Sequence, residues 1–142
     1  MFLGEFTHTI DDKGRLTIPA KFRADLNAGL IVTRGIDRCL AIYSMEEWGR
    51  LAKQVSALPM TDRRARAFRR LVFANAFDSI PDKHGRVLIP PHLREYADLD
   101  SEAILTGLNT YIEVWNPDSW GAEREYIEGD ETNIEGWADL HI

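Results

Sequence analysis

Residues 6–23 are Phe6-Thr-His-Thr-Ile-Asp-Asp-Lys-Gly-Arg-Leu-Thr-Ile-Pro-Ala-Lys-Phe-Arg23, and this stretch decides the fold because the chain repeats it. With an offset of 71 residues and no gap it aligns with Phe77-Asp-Ser-Ile-Pro-Asp-Lys-His-Gly-Arg-Val-Leu-Ile-Pro-Pro-His-Leu-Arg94, and seven of the eighteen positions are identical. The likeness resumes at an offset of 72, where Trp48 aligns with Trp120. Two copies of a unit of about seventy residues are therefore predicted.

Each copy is predicted to form the same series of elements: strand, tight turn, strand, short helical turn, two further strands and a helix. In the first copy, Phe6 to Ile10 and Leu16 to Ile18 are the β-type segments that flank the turn. Ser44-Met-Glu-Glu47 is a capping-box pattern that marks a helix start. At the matching place in the second copy, Asn116-Pro117 puts a good N-cap before a proline at the first helical position.

These elements predict an α+β protein of two pseudo-symmetric units, residues 1–60 and 77–120. A unit of about seventy residues has little core of its own, so we expect the two to pair and form one small β-barrel with flanking helices. Residues 61–76 are predicted to be a basic, amphipathic connecting helix. Residues 121–142 hold seven Asp/Glu and one Arg, which is typical of a solvated or partly disordered acidic tail.

The net charge of −6 hides an asymmetry between the two halves of the chain. Residues 1–76 carry 13 Lys/Arg and 8 Asp/Glu, a sum of +5, whereas residues 77–142 carry 4 and 15, a sum of −11. Association with a polyanion depends on the local field, so the acidic total does not exclude nucleic acid.

Membrane and secretory classes are not indicated. The apolar runs are far shorter than a bilayer span, and the N-terminus has no basic leader or long apolar stretch. The single cysteine, Cys39, cannot form an internal disulfide and is predicted to be a small buried apolar residue. We therefore expect a cytoplasmic protein.

The motif Asp-x-x-Gly-Arg occurs once in each copy, as Asp11, Gly14 and Arg15 and again as Asp82, Gly85 and Arg86. Asp and Gly fit the first and fourth positions of a type I turn, where Asp caps backbone amides and Gly tolerates positive φ. One interpretation is purely structural, an aspartate that bridges to a nearby arginine. The other places each arginine exposed at the tip of a hairpin, where it reaches a phosphate or a guanine edge. Candidate supporting contacts are Lys13, Lys83 and His84.

Enzyme classes find little support. Asp11 and Asp82 are related by the repeat, but neither lies in the Asp-Thr/Ser-Gly context of an aspartic protease, and each has an arginine four residues later. The four histidines have no metal-ligand spacing, and there is no P-loop or Rossmann glycine pattern. We expect no catalysis, no metal, no cofactor and no small-molecule substrate.

The doubled Asp-x-x-Gly-Arg-x-x-Ile-Pro, together with the Met-Phe-Leu-Gly start, resembles the MraZ family of bacterial transcriptional regulators. The resemblance implies a swapped-hairpin fold related to AbrB-type regulators and ring-shaped homo-oligomers. It also implies binding to double-stranded DNA upstream of the division and cell-wall gene cluster, including the protein's own gene, and hence association with the nucleoid. Carried over by position, Arg15 and Arg86 are the principal DNA contacts, with Lys13 beside the first. His84 stands where the first copy has Lys13, which implies weaker contact by the second hairpin at neutral pH.

The connecting helix offers a hypothesis about assembly. Its arginines face the acidic second half of a neighbouring subunit if copies associate head to tail, which is the arrangement that closes into rings. The candidate contact residues are Arg63, Arg66, Phe68, Arg70 and Leu71. The alternative function is an oligomeric scaffold whose hairpins bind another acidic protein without specific DNA binding.

Overall fold

The computed structural model describes residues 1–129 and 131–141, and they form an α+β fold. The strands are β1 (Phe2–Thr9), β2 (Arg15–Thr17), β3 (Leu30–Arg34), β4 (Leu40–Ser44), β5 (Phe77–Ser79), β6 (Arg86–Leu88), β7 (Glu102–Asn109) and β8 (Ile112–Trp115). The helices are α1 (Ala20–Leu26), α2 (Met45–Ser56), α3 (Arg63–Ala74), α4 (Pro91–Tyr96), α5 (Pro117–Glu128) and α6 (Glu131–Ala138). The predicted series therefore occurs in both copies, with α3 between them.

The strands form two antiparallel sheets. Six of them lie in the order β1-β7-β8-β4-β3-β5, and β2 pairs with β6 in a separate two-stranded ribbon. The first strand of each copy pairs with the third strand of the other copy, β1 with β7 and β5 with β3. The two copies therefore interlock, and neither could form this sheet alone.

The prediction that the two units form one small β-barrel is not met, because the large sheet does not close. It is open, and β1 and β5 are its edge strands. β1 pairs with β7 over eight residue pairs, whereas β5 pairs with β3 over only three. At the end of the first copy's strand, the Ile10 amide donates to the Ser101 carbonyl at 2.9 Å. The matching residue in the second copy is Pro81, which has no amide hydrogen to donate. The second copy thus supplies a shorter edge strand.

The core lies between the ribbon, the short helices and the large sheet, and both copies contribute to it in the same way. Leu16 and Ile18 from the first copy and Ile89 and Leu93 from the second are fully buried. Phe22 on α1 makes edge-to-face contacts with two rings of β1, at centroid distances of 5.2 and 5.3 Å. Burying a side chain of this size stabilises the fold by roughly 1.5–3 kcal/mol. The ribbon is therefore packed against the hydrophobic core.

The predicted helix starts are confirmed. Ser44 caps α2 by accepting a hydrogen bond from the Glu47 amide at 3.2 Å. Asn116 caps α5 by accepting from the amides of the second and third helical residues, at 2.8 and 3.0 Å. The connecting helix is α3, which Asp62 caps through the Arg64 amide at 2.8 Å.

The segment after Trp120 is predicted to be solvated or partly disordered. Residues 121–129 and 135–141 are mostly exposed, and the segment contains the rest of α5 and all of α6. The Trp120 ring packs against Trp115 at a centroid distance of 5.6 Å, and its Nε1 donates to a carboxylate oxygen of Glu5 at 2.9 Å. These contacts attach α5 to the sheet. Among residues 1–129 and 131–141, no helix is long and apolar enough to cross a membrane.

Candidate nucleic-acid interface

The two Asp-x-x-Gly-Arg turns lie side by side because the strands that follow them pair with each other. In the ribbon, Arg15 on β2 is opposite Leu88 on β6, and Thr17 is opposite Arg86. The two arginines therefore begin opposite ends of a ladder that is only three residue pairs long. Residues separated by 71 positions in the chain meet in one surface.

Each turn is also bonded to the other copy's strand end. The Ile18 amide donates to the Gly85 carbonyl at 2.8 Å, and the Ile89 amide donates to the Gly14 carbonyl at 2.9 Å. The two bonds are related by the repeat, so the pseudo-symmetry extends to the turns themselves. Both glycines are buried.

The first turn has the predicted geometry. The Gly14 amide donates to the Asp11 carbonyl at 3.0 Å, and Gly14 has φ +81°. The Asp11 Oδ1 atom accepts hydrogen bonds from the amides of Lys13, at 3.0 Å, and Arg15, at 2.8 Å. The Asp11 side chain thus accepts hydrogen bonds from two turn amides, in the place that backbone carbonyl groups would otherwise take.

The second turn repeats these contacts almost unchanged. Gly85 has φ +74°, and its amide donates to the Asp82 carbonyl at 2.9 Å. The Asp82 Oδ1 atom accepts from the amides of His84 and Arg86, both at 2.9 Å. In both copies Asp and Gly therefore occupy the turn positions that the sequence predicts for them.

Both turn aspartates are held ionised. The hydrogen bond from the Arg86 amide is the largest cause that lowers the pKa of Asp82, from 3.8 to about 2. The Arg15 amide lowers the pKa of Asp11 in the same way. A catalytic pair of carboxylates shares one proton, so one of its pKa values is raised. The lowered pKa values of Asp11 and Asp82 are those of two separately hydrogen-bonded carboxylates.

The arginines make the ion pairs of the structural interpretation and keep donors for another partner. Nε of Arg15 is 2.7 Å from the Asp11 carboxylate, and Nε of Arg86 is 3.0 Å from the Asp82 carboxylate. Nη1 of Arg86 also lies 3.7 Å from Asp11, which links the two copies. The Arg15 and Arg86 side chains are 32% and 29% exposed, less than the sequence predicts for residues at a hairpin tip. Because Nε makes the close pair, the terminal amino groups of Arg15 are not used by Asp11.

The supporting residues are more exposed than the arginines. Lys13, Lys83 and His84 all lie on the outer corners of the turns and are exposed, and so is Asp12 beside Lys13. The arrangement can therefore present a compact set of guanidinium and ammonium donors on a narrow two-stranded ribbon. Such donors recognise phosphates and the acceptor edge of guanine.

Two further arginines contact the turns, and the sequence interpretation gave them no role. A Cβ atom added to Gly85 would lie 2.6 Å from Cζ of Arg23, and one added to Gly14 would lie 2.9 Å from Cζ of Arg94. These arginines occupy identical positions in the repeat, which was the available signal. Each one covers the turn of the opposite copy, and that crossing is not visible in the sequence.

The residues predicted to contact other subunits lie on α3. This helix packs against α2 and β3 and is not part of the β2–β6 ribbon. Phe68 and Leu71 line a cavity of about 160 Å³, together with Tyr111 and Ile36. Within the described residues, no cluster of His, Cys, Asp and Glu could hold a metal ion.

Comparison with known proteins agrees with the repeat. The family model described as "MraZ protein, putative antitoxin-like" matches the chain twice, over residues 1–71 and 72–137. The chain belongs to the MraZ family. The resemblance inferred from the doubled motif is thereby confirmed.

Relatives of this MraZ-family chain are similar over nearly their whole length. The "Transcriptional regulator MraZ" of Thermomicrobium roseum is 52% identical over 134 residues, 94% of each chain. The protein of the same name from Herpetosiphon aurantiacus is 52% identical over 120 residues, 84% of each chain. That of Carboxydothermus hydrogenoformans is 47% identical over 133 residues, 90% of this chain and 93% of the relative. The MraZ relatives are named as regulators, in agreement with the prediction of a protein that is not an enzyme.

Proposed function

We propose that this MraZ-family protein is a transcriptional regulator that binds double-stranded DNA in a sequence-specific manner through the β2–β6 ribbon. The observation that carries the proposal is the meeting of two Asp-x-x-Gly-Arg turns on one ribbon, with Arg86 within 3.7 Å of the aspartate of the other turn. The names of the relatives support regulation of transcription, and the ribbon supplies a surface for it.

The dimensions of the ribbon suit the major groove, which is about 12 Å wide and admits a two-stranded β-ribbon. Asp11 and Asp82 fix the guanidinium groups of Arg15 and Arg86 from the Nε side. The terminal nitrogens of Arg15 are then oriented to donate two hydrogen bonds to O6 and N7 of a guanine, the commonest specific contact of arginine. Fixing the side chain beforehand lowers the entropy lost on binding.

The two turns act as one contact unit. Arg15 and Arg86 begin opposite ends of a ladder of three residue pairs, which spans about 7 Å at 3.3 Å per residue. Neighbouring base pairs in DNA are about 3.4 Å apart, so the two arginines can reach base pairs that are about two steps apart. Lys13, Lys83 and His84 flank them and contact phosphates, which position the ribbon without specifying sequence.

The target follows from the family resemblance. We propose that the protein binds promoter DNA of the division and cell-wall gene cluster, upstream of its own gene, and that it is associated with the nucleoid. A gel mobility shift with that upstream duplex, in the presence of excess non-specific competitor, tests the proposal. Binding should persist on the upstream duplex and be lost on a duplex of the same composition in scrambled order. Equal binding to both duplexes would favour the scaffold hypothesis instead.

A ring-shaped homo-oligomer is proposed for the assembly. One ribbon makes few contacts, and several ribbons on a rigid frame raise avidity without new contacts. On α3, Arg63 and Arg70 are exposed, and Phe68 is 36% exposed beside the cavity that Leu71 also lines. Arg66 is partly occupied within its own chain, since it donates to the Met60 carbonyl at 3.0 Å.

The complementary surface in a neighbouring copy is the acidic C-terminal half. Exposed acidic residues there include Glu125, Glu128, Glu135 and Asp139. Exposed apolar side chains accompany them, among them Trp137, which is 42% exposed, and Leu140, which is 64% exposed. Head-to-tail contact between this surface and α3 is heterologous and can close into a ring.

Light scattering across a salt series tests the ring. Wild type should be oligomeric at low salt, and the double charge reversal Arg63→Glu/Arg70→Glu should shift it to smaller species. Lys53→Glu, on the exposed side of α2, is the matched control and should have no effect. A monomeric wild type at low salt would contradict the ring, and an unaffected double variant would contradict only its electrostatic part.

A further inference from the structure

Arg23 and Arg94 cross from one copy to the other at the turns. The guanidinium of Arg94 lies flat over Gly14: its Nε, Cζ and Nη2 atoms would all be within 2.9–3.0 Å of a Cβ at that position. Arg23 covers Gly85 with a different part of its side chain: Cζ and Cδ would lie 2.6 and 2.9 Å from a Cβ there, and Nε would be nearer still. These glycines are needed for positive φ and also because the space beside their α-carbons is filled by an arginine from the other copy.

Each arginine is also fixed at a second point. Nε of Arg23 donates to the Ile18 carbonyl at 3.0 Å, and the Ile18 amide donates to the Gly85 carbonyl at 2.8 Å. In the other half, Nε of Arg94 donates to the Ile89 carbonyl at 2.9 Å. Arg23, the end of β2 and the second turn therefore form one connected set, and the same set occurs again by pseudo-symmetry.

We infer that Arg23 and Arg94 are positioning residues for the DNA contact, and that each acts on the turn of the opposite copy. Arg23 holds the second turn and with it Arg86, and Arg94 holds the first turn and with it Arg15. This inference rests on the proposed function. Its physical basis is preorganisation: a turn that is ordered before binding loses less conformational entropy when its arginine meets a base.

The positioning role has a readout that needs no DNA. In Arg23→Ala, amide hydrogen exchange should become faster at His84 and Gly85 and stay unchanged at Lys13 and Gly14. In Arg94→Ala the pattern should be reversed. Lys21→Ala removes an exposed charge from the same helix as Arg23 and is the control that should change neither turn. Unchanged exchange at the second turn in Arg23→Ala would overturn the inference, whether or not the protein binds DNA.

A double-mutant cycle on DNA affinity tests the crossing directly. Arg23→Ala should weaken specific binding about tenfold, because a factor of this size corresponds to the usual coupling energy between residues that contact each other or share a partner. Its effect should be largely absent once Arg86 is already alanine, and it should add to that of Arg15→Ala. Coupling to Arg15, or to neither arginine, would overturn the assignment. If wild type itself shows no specific binding, the proposed function fails and hydrogen exchange alone decides the positioning role.

Salt dependence separates positioning from a direct phosphate contact. Loss of one phosphate contact reduces the slope of log affinity against log salt by about 0.9. Arg23→Ala should leave this slope unchanged while the ratio of specific to non-specific affinity falls. Arg23→Lys keeps the charge but lacks the flat guanidinium, so it should lose specificity as the alanine variant does, and it replaces that variant if Arg23→Ala does not fold. Full rescue by lysine, or a slope that falls by one contact, would contradict positioning.

Discussion

The two turns of the ribbon have the same backbone and different surfaces. Asp, Gly and Arg occupy identical positions in both, and the corresponding hydrogen bonds differ by at most 0.3 Å between copies. The exposed pair between them differs: Asp12 and Lys13 in the first turn, Lys83 and His84 in the second. The backbone geometry of the turns is therefore set by the hydrogen-bonded and buried residues, and the exposed positions differ without changing it.

Under the proposed function, the difference also bears on which turn contacts DNA more strongly. Residues 11–15 contain two Asp, one Lys and one Arg, and their formal charge sums to 0. Residues 82–86 contain one Asp, one Lys and one Arg, and with His84 neutral their charge sums to +1. The family resemblance implies a weaker second hairpin because His84 replaces a lysine, but Lys83 in place of Asp12 acts in the opposite direction. The charge sum favours the second turn.

The largest effect is expected from the two glycines. Gly14→Val and Gly85→Val should each destabilise the fold by more than about 1–2 kcal/mol, because the left-handed backbone costs that much and an arginine fills the space beside each glycine. Urea denaturation measures the change. Gly49→Ala is the control: apart from its chain neighbours and the backbone of its own helix, no heavy atom of the described residues lies within 4 Å of a Cβ there, so it should stabilise α2 by roughly 0.5–1 kcal/mol. If the loss of unfolding free energy differs by more than about twofold between the two valine variants, the turns are not equivalent.

The next effect is on specific DNA affinity. Arg15→Ala and Arg86→Ala should each lose roughly 1–3 kcal/mol of specific binding, the range for one bidentate contact to a base. Fluorescence anisotropy with the upstream duplex measures the loss. If the turns are equivalent readers, the two losses are equal; if the charge sum decides, Arg86→Ala loses more. Wild-type affinity in a folded Arg15→Ala protein would remove the main support for the site.

Acid should weaken the second turn through Asp82. Its pKa is about 2 in the fold and ordinarily 3.8, so the ionised form stabilises the native state above about pH 4. That contribution is lost as the pH falls from about 4 towards 2. Wild type should therefore lose more stability over this interval than Asp82→Asn, which keeps an acceptor oxygen but does not titrate. Thermal melts at several pH values compare them, and parallel curves would contradict the assignment.

The smallest effect is expected at the exposed lysines. Lys83→Ala should weaken binding to specific and scrambled DNA alike and lower the salt slope by about 1, because it removes one phosphate contact. Asp12→Asn in the first turn should strengthen both modestly by removing a like charge. Salt titrations of the two variants make the comparison. If Lys83→Ala lost affinity only for the specific duplex, Lys83 would contact a base and not a phosphate.

Much of this organisation is predictable from the repeat. Seven identities in residues 6–23 and 77–94 predict the paired turns, and the caps at Ser44 and Asn116 predict the starts of two helices. These features depend on local hydrogen bonds between residues close in the chain, which is why their sequence signals are strong.

The rest depends on contacts between distant residues. The short edge strand β5 follows partly from Pro81, whose missing amide matters because its counterpart, Ile10, bonds to Ser101. The acidic segment is helical where α5 is attached through Trp120 to Glu5, 115 positions away. The roles of Arg23 and Arg94 were missed because each contacts a glycine of the other copy.

Both turns are proposed to form one DNA-reading surface, and the sharpest test of that surface is the double variant Arg15→Ala/Arg86→Ala. Its affinity for the upstream duplex should be measured with excess competitor beside wild type and Lys53→Ala, with hydrogen exchange to verify the fold. The double variant should bind the upstream and scrambled duplexes equally, whereas wild type and Lys53→Ala should prefer the upstream one. A folded double variant that keeps the wild-type preference would contradict this proposal.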